Sequence, residues 1–332
     1  MKITSFFAGA GGLDLGFERA GFNVEWANEY DSKIWNTYEK NHKETKLVKE
    51  DLRKISISDI PNSVGIIGGP PCQSWSEAGA MRGEADNRGK LFFDYINVIS
   101  EKQPLFFLAE NVSGLLASRH SESFKKILDS FSKAGKIGYS VEYKLLNVSD
   151  FGIPQDRKRV FFIGYRKDLK IKFDFEKFIK ENEVSQKKTL FETIFDLKDS
   201  AKSNKDDLDC LIKNHEFMNG GFSSIYMSRN RVRGWDEQSF TIQAGGRHAP
   251  IHPQAPKMEL VEKNKRIFVA GKEHLYRRLT VRECARIQTF PDEFEFLYKN
   301  IADGYKMVGN AVPVEMSKLL ALQINKDLKK HY

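Results

Sequence analysis

Two side chains of this sequence, Cys72 and Glu110, stand where a chemical reaction could take place. Cys72 follows Pro70 and Pro71 after an apolar run, so its thiol is held on a stiff loop where a ligand crevice is expected. Glu110 follows the apolar segment 104–109, which is typical of a buried strand and should leave its carboxyl group partly desolvated. The pattern predicts a cysteine nucleophile and a general acid at one edge of a sheet.

A glycine-rich turn near the start of the chain predicts a nucleotide pocket. Gly9 and Gly11 lie between an apolar run and a helix-like segment, so the main chain can turn tightly and approach a ligand. No Gly-Lys-Ser/Thr follows, which disfavours a phosphate-binding P-loop. Glu29 could accept both hydroxyls of an adenosine ribose, and Asp51 could accept an adenine amino group. These residues describe an adenosine pocket and leave NAD and S-adenosylmethionine both open.

Alternating strand-like and helix-like segments must position these groups. The predicted strands are 3–7, 23–27, 64–67, 105–109, 141–147 and 160–165, and the predicted helices between them are 13–20, 32–41, 91–102 and 121–134. This alternation indicates an α/β, doubly wound, Rossmann-like and mainly parallel sheet, with binding loops at the carboxyl ends of its strands. A further helix is predicted over 277–288, entered at Thr280 and ended before Pro291.

Composition narrows the class of protein. The 332 residues are 40% hydrophobic and 30% charged, which excludes a disordered or fibrous chain. A net charge of +8 favours an acidic partner such as nucleic acid. The three cysteines form no CxxC pair and the seven histidines have no zinc-like spacing, so we expect neither a disulfide framework nor a metal site. No apolar run reaches the roughly 18 residues of a membrane span, so we expect a cytoplasmic protein without membrane contact.

Six segments together resemble the DNA (cytosine-5) methyltransferases. In chain order they are FFAGAGG, GGPPCQSWS, ENV, QDRKRVFFIG, RRLTVRECARIQTFPD and GNAVPV. The resemblance runs from residue 3 to about 314, and the pair PPCQ and ENV in this order is highly specific. It implies a class I methyltransferase fold with S-adenosylmethionine as the cofactor.

The resemblance also implies a role for each site residue. Cys72 would add to carbon 6 of cytosine and so activate carbon 5 for methylation. Glu110 would protonate or hydrogen-bond ring nitrogen 3, with Arg157 and Arg159 as supporting contacts. The cofactor pocket would be lined by Phe7, Gly9, Gly11, Leu13, Glu29, Asp51, Pro71, Asn310 and Val312.

By the same resemblance, the chain divides into two domains. Residues 1–185 plus 300–332 would form the catalytic and cofactor-binding domain, and 186–299 a smaller target-recognition domain with its hinge. The variable region, roughly 186–275, contains YMSRNRVRGW and HPQAP, which are similar to bacterial restriction–modification methylases that recognise GGCC and modify its inner cytosine.

The expected partner is double-stranded DNA, from which the target cytosine must be flipped. Arg229, Arg231 and Arg247 are the predicted guanine readers, because a guanidinium fork matches O6 and N7 of guanine. A cognate restriction endonuclease would share the site without forming a stable complex, and we expect a monomer.

Three other functions compete with this one. An RNA (tRNA) cytosine-5 methyltransferase would share every catalytic motif, and the arginines between 229 and 247 favour DNA over RNA. A nicotinamide dehydrogenase would keep the glycine turn but leave Cys72 and Glu110 without a role. A non-enzymatic DNA-binding protein could use the same basic surface, again without a role for those two residues.

Overall fold

The computed structural model describes residues 1–71, 87–203 and 212–330, and these form two compact units. The first unit consists of Met1–Asn147, Lys158–Glu183 and the chain from Glu315 onward, and the second of Val148–Arg157 and Val184–Val314. Residues 148–157 and 300–314 therefore pack within the second unit, although the sequence analysis groups them with the catalytic domain. The predicted functional division remains a prediction.

A seven-stranded sheet forms the centre of the first unit. Numbered along the whole chain, its strands are Lys2–Phe6 (β1), Asn23–Asn28 (β2), Lys46–Val48 (β3), Gly65–Gly68 (β4), Phe106–Val112 (β5), Tyr139–Asn147 (β6) and Lys158–Arg166 (β8), while Gln155–Asp156 (β7) belongs to the second unit. The strand order is β3-β2-β1-β4-β5-β8-β6. Strands β1 to β5 pair in parallel and β8 is antiparallel to both its neighbours, which confirms the predicted mainly parallel sheet.

Helices lie on both faces of this sheet. In the first unit they are Gly12–Arg19 (α1), Trp35–Asn41 (α2), Asn87–Lys102 (α3), Ser121–Ser132 (α4), Phe175–Asn182 (α5) and, from its second residue onward, Val314–Lys329 (α9). On β5, Phe106 stacks on Phe17 of α1 with ring centres 6.3 Å apart, and Phe107 stacks on Phe131 of α4 at 4.3 Å. Because successive residues of a strand point to opposite faces, α1 and α4 cover opposite sides, and the sheet is doubly wound as predicted.

The second unit is built from short helices and strands. Its helices are Leu190–Ile194 (α6), Val281–Ile287 (α7) and Ile301–Asn310 (α8). Besides β7, its strands are Lys202–Ser203 (β9), Glu216–Phe217 (β10), Ser239–Phe240 (β11), Glu259–Glu262 (β12) and Lys265–Ile267 (β13). Tyr226, Val232, Ile251, Met258 and Tyr276 belong to one of its apolar clusters. Within the described ranges, no helix is long and apolar enough to cross a membrane.

Candidate active site

The site residues of the first unit converge where the strand order reverses. From β1 the chain proceeds to β2 and β3 on one side and then to β4 and β5 on the other. Such a reversal opens a crevice at the carboxyl ends of the strands. Phe7, Glu29, Asp51 and Pro70 follow β1, β2, β3 and β4, and Glu110 lies among the last three residues of β5.

Glu110 is held at this edge by Arg159 on the neighbouring antiparallel strand. The guanidinium Nε of Arg159 lies 2.9 Å from Oε1 of Glu110, and only 8% of the glutamate is exposed. The ladder places Val112 opposite Arg159, so the two charged residues are diagonal neighbours across β5 and β8. A Cβ added to Gly69 would lie 3.6 Å from Oε2 of Glu110, so the main chain after β4 passes beside the carboxylate.

Asn111 connects β5 to the loop that leads to the predicted nucleophile. Its buried side-chain amide donates a hydrogen bond of 3.1 Å to the main-chain carbonyl of Pro70. Pro70 is two residues before Cys72, which lies outside the described residues. Glu110 and Asn111 are adjacent, so one strand end carries the acid and fixes the base of the proline loop.

The turn after β1 has the left-handed backbone conformations that its glycines allow. Gly9 and Gly11 have φ of 57° and 88°, and Phe7 has φ of 53°, all in the left-handed region. The amide of Gly9 donates to Oε2 of Glu29 at 2.9 Å, and the amide of Asp31 donates to Oε1 at 2.7 Å. The carboxylate that was predicted to bind a ribose is therefore already oriented by two main-chain amides.

Asp51 is oriented by a neighbouring cation that the sequence analysis did not consider. Arg53 donates from Nε to Oδ1 of Asp51 at 2.9 Å, from Nη2 to Oδ2 at 2.5 Å, and from its main-chain amide at 3.0 Å. These hydrogen bonds from Arg53 lower the pKa of the Asp51 carboxyl group. The aspartate is thus a charged acceptor at the end of β3.

Four other predicted cofactor residues are distributed over both units. Leu13 is buried on α1, and its carbonyl accepts a 2.5 Å hydrogen bond from the Ser317 hydroxyl. Pro71 is half-buried directly after Pro70. In the second unit Asn310 is exposed at the end of α8, and Val312 is buried. The predicted approach of Asn310 and Val312 to the glycine turn remains a prediction.

Arg157 contacts main-chain carbonyls of its own unit. It belongs to the second unit and is 1% exposed. Its guanidinium donates to the main-chain carbonyls of Ile242, Gly309 and Ala311 at 3.0 to 3.1 Å, which connects separate segments of that unit. Arg159 pairs with Glu110 in the first unit. The supporting contact of either arginine to the base remains a prediction.

The three predicted guanine readers lie in the second unit in different surroundings. Arg229 and Arg247 are exposed. Arg231 is half-buried: its guanidinium lies 4.7 Å from the ring centre of Tyr226, and its Nε donates to the Tyr226 carbonyl at 2.9 Å. The side chain of Arg231 is thereby pre-oriented, whereas Arg229 and Arg247 extend into solvent.

A buried charged network in the second unit was missed by the sequence analysis. Glu283 is fully buried and accepts hydrogen bonds from both terminal nitrogens of Arg277 and from the amide of Thr280. Its carboxylate and the Thr280 hydroxyl form a capping box at the start of α7. The spacing Thr-x-x-Glu at 280–283 is the sequence signal that could have found it.

Comparisons with known proteins agree with this geometry. The family described as C-5 cytosine-specific DNA methylase matches residues 1–326. The chain is 56% identical to the Type II methyltransferase M.FnuDI of Fusobacterium nucleatum, over 99% of this chain and 95% of the relative. It is also 56% identical to M.MthTI of Methanothermobacter thermautotrophicus, over 99% and 98%.

A solved structure confirms the fold. The Dnmt2 methyltransferase of S. pombe superimposes with a TM-score of 0.67 at 19% identity, over 98% of this chain and 99% of that one. The family match and the nearly full-length relatives decide against the dehydrogenase and against a non-enzymatic DNA-binding protein. The chain belongs to the C-5 cytosine-specific DNA methylase family and is a DNA (cytosine-5) methyltransferase of the Type II restriction–modification type.

Proposed function

We propose that this enzyme methylates carbon 5 of the inner cytosine of GGCC in double-stranded DNA, after flipping that base out of the helix. The modification would protect the site from a cognate restriction endonuclease. The observation that carries the catalytic part is the Glu110–Arg159 pair at 2.9 Å, beside the loop that Asn111 anchors at Pro70. An acid and a proline loop held at one strand end suit attack on a ring that has been brought out of the stack.

In this proposal Cys72 and Glu110 act on the two sides of one ring. The Cys72 thiolate adds to carbon 6 of the flipped cytosine, which makes carbon 5 nucleophilic. Glu110 hydrogen-bonds or protonates nitrogen 3 as negative charge develops there, and Arg159 keeps the carboxyl group in position. After methylation, loss of the carbon 5 proton and departure of the Cys72 sulfur restore the aromatic ring.

S-adenosylmethionine is the proposed cofactor, and it supplies an electrophilic methyl group. The residues at the strand ends fit its adenosine part. Glu29 presents carboxylate oxygens that can accept ribose hydroxyls, and Asp51 presents a charged acceptor for an amino group. A Cβ at Gly9 would meet no described atom within 4 Å, so the turn leaves open space for a ligand. Phe7, Gly11, Leu13, Pro71, Asn310 and Val312 complete the proposed pocket.

Recognition of GGCC is proposed to depend on Arg229, Arg231 and Arg247. A GGCC duplex offers two guanines on each strand, and arginine is the side chain that best matches their major-groove edges. Exposure of Arg229 and Arg247 supports this role, as does the stacking of Arg231 on Tyr226, which reduces the entropy lost when its guanidinium binds a base.

Bisulfite sequencing of DNA from a host that expresses the enzyme tests the proposal. We expect protected cytosines at the inner position of GGCC and at no other tetranucleotide. Methylation at a different sequence would refute the specificity and leave the enzyme class intact. Methylation of tRNA with none of duplex DNA, measured with labelled S-adenosylmethionine, would replace the proposal by the RNA alternative.

A further inference from the structure

A buried cluster lies directly behind the glycine turn and has no role in the catalysis described so far. It is built from β1, α1 and α2, all in the first unit. Asp14 of α1 is fully buried and accepts hydrogen bonds from the Ser5 hydroxyl at 2.6 Å and the Tyr38 hydroxyl at 2.5 Å. The His42 ring stacks on the Tyr38 ring, with centres 4.4 Å apart and planes inclined by 24°.

His42 is the member of the cluster that touches the turn. A Cβ built on Gly11 would lie 2.0 Å from Nε2 of His42, so the ring occupies the space that any side chain at Gly11 would need. The ring is fixed from the other side, because its Nδ1 lies 3.2 Å from both carboxylate oxygens of Glu18. Its side chain has no exposed surface. The imidazole therefore packs in a fixed orientation against the main chain of Gly11.

The conformation of the turn depends on side chains from other elements that contact it. Gly11 is the N-cap of α1, and it has no side chain with which to cap the helix. Two side chains hold the turn instead: Glu29 from the end of β2 accepts the Gly9 amide, and His42 at the end of α2 packs against Gly11. The turn is thus held by two side chains that flank α2, Glu29 directly after β2 and His42 directly after α2.

We propose that His42, supported by Tyr38 and Asp14, is a positioning residue that sets the conformation of the glycine turn for cofactor binding. The proposal rests on the proposed S-adenosylmethionine site. Without the imidazole, α1 and the turn can shift toward the vacated space, and the Gly9 and Gly11 amides lose their fixed positions. Small displacements of groups that contact a bound molecule have large effects on binding and rate.

The hydrogen bonds that Asp14 accepts connect Tyr38, on which His42 stacks, to Ser5 of β1. Burial raises the pKa of the Asp14 carboxyl group to about 6, and nearby His42 with the hydroxyls of Ser5 and Tyr38 opposes that rise. Removing the Tyr38 hydroxyl leaves a buried oxygen without this donor, so Tyr38→Phe should loosen the stack on which His42 rests.

The experiment measures the dissociation constant for S-adenosylmethionine by titration calorimetry in wild type, His42→Ala and Tyr38→Phe. We expect His42→Ala to weaken binding about tenfold or more and Tyr38→Phe to weaken it in the same direction. At saturating cofactor, the KM for DNA should remain near the wild-type value. His42→Gln keeps most of the volume and should lose less affinity than His42→Ala.

Tyr165→Phe is the matched control. Tyr165 also donates a buried phenol hydrogen bond to an aspartate, Asp327, at 2.9 Å in the same unit. It should lower the thermal midpoint while changing the dissociation constant by less than about twofold. Equal effects of His42→Ala and Tyr165→Phe on cofactor affinity would overturn the proposal. Failure of the wild type to bind S-adenosylmethionine would overturn the proposed function instead.

A second cycle covers the case in which His42→Ala is too unstable to purify. Gly11→Ala should abolish cofactor binding, because its Cβ would collide with the His42 ring and because φ is 88°. Combining it with His42→Ser, which vacates the space of the ring, should restore part of the affinity, although the strain at φ 88° remains. Wild-type cofactor affinity of both His42→Gln and Tyr38→Phe would show that the ring does not control the turn.

Discussion

Replacing Glu283 by Gln tests whether a buried carboxylate organises the second unit. The side chain has no exposed surface and accepts three hydrogen bonds, from Nη1 and Nη2 of Arg277 at 2.8 and 2.7 Å and from the Thr280 amide at 2.8 Å. Arg277 is itself only 9% exposed. Glutamine can replace one acceptor but presents an amide group to the second guanidinium nitrogen, which leaves a buried charge without its counterion.

The expected loss can be worked out in two ways. Burial raises the pKa of Glu283, but the Arg277 guanidinium, together with smaller contributions from His252 and His215, outweighs burial and the pKa falls from 4.5 to about 2. At about 1.4 kcal/mol per pH unit, this difference corresponds to roughly 3 kcal/mol of stability. Removing one partner of a buried ion pair costs roughly 3 to 5 kcal/mol. The two values agree, so Glu283→Gln should lose about 3 kcal/mol at neutral pH.

The stabilisation by the Glu283 carboxylate decreases as the pH falls. Because the folded pKa is below the unfolded one, the stabilisation is complete above pH 4.5 and is lost as pH falls toward 2. The difference in the free energy of unfolding between wild type and Glu283→Gln should therefore decrease below pH 4.5. Urea unfolding measures the global free energy, and hydrogen exchange of residues 277–288 measures opening of this segment.

Glu192→Gln provides the control. Thr189 and Glu192 form the same kind of capping box at the start of α6, also in the second unit. Glu192 is exposed, so its loss should be small and should hardly change the exchange of residues 277–288. If both variants lose the same stability, pairing with Arg277 does not stabilise this unit and the reasoning is refuted.

Three further predictions concern the reaction and the DNA. Cys72→Ser should abolish methyl transfer with cofactor affinity retained, because a hydroxyl is hardly ionised near neutral pH; 5-fluorocytosine DNA should form a covalent adduct with wild type only. Glu110→Gln should slow methylation roughly a hundredfold to ten thousandfold, and a single-turnover loss below about tenfold would contradict its role as an acid. Arg229→Ala, Arg231→Ala and Arg247→Ala should each cost about 1–3 kcal/mol on GGCC and relax one position, and equal losses on all single-base variants at two salt concentrations would indicate phosphate contacts instead.

Most strands and helices of the first unit could be predicted because their sequence patterns are strong and local; the short strand β3 and the helices α5 and α9 were not. The apolar run at 105–109 overlaps β5, the run at 160–165 lies within β8, and both strands are largely buried. The entry of a helix at Thr280 was predicted correctly, since a threonine N-cap leaves a local signal, but the helix spans Val281–Ile287 rather than 277–288. The compact units could not be predicted, because residues 148–157 join the second unit through pairing of β7 with β11, more than 80 residues away.

The carboxyl edge of the sheet could also be predicted, but not how its groups are paired. Glu29 follows β2 and Glu110 lies near the end of β5, so topology alone brings them to one edge. The cation that pairs with Glu110 depends on the register of β5 against β8. His42 follows a polar helix with no motif around it, and its importance becomes visible only where its ring meets Gly11, 31 positions earlier.

Arginines of the second unit fall into two chemical groups, and this division bears on DNA recognition. A buried guanidinium can serve several main-chain carbonyls at once because it has five donors in one plane. Arg157, Arg278 and Arg282 act in this way; Arg278, for example, donates to the carbonyls of Met218, Gly220 and Gly221. The net charge of the sequence does not distinguish these buried arginines from the exposed Arg229 and Arg247. Buried guanidinium groups already have acceptors, so the salt dependence of the DNA-binding constant should be determined by the exposed arginines. Replacing Arg278 should therefore lower the stability of the fold and leave the salt dependence of DNA binding unchanged.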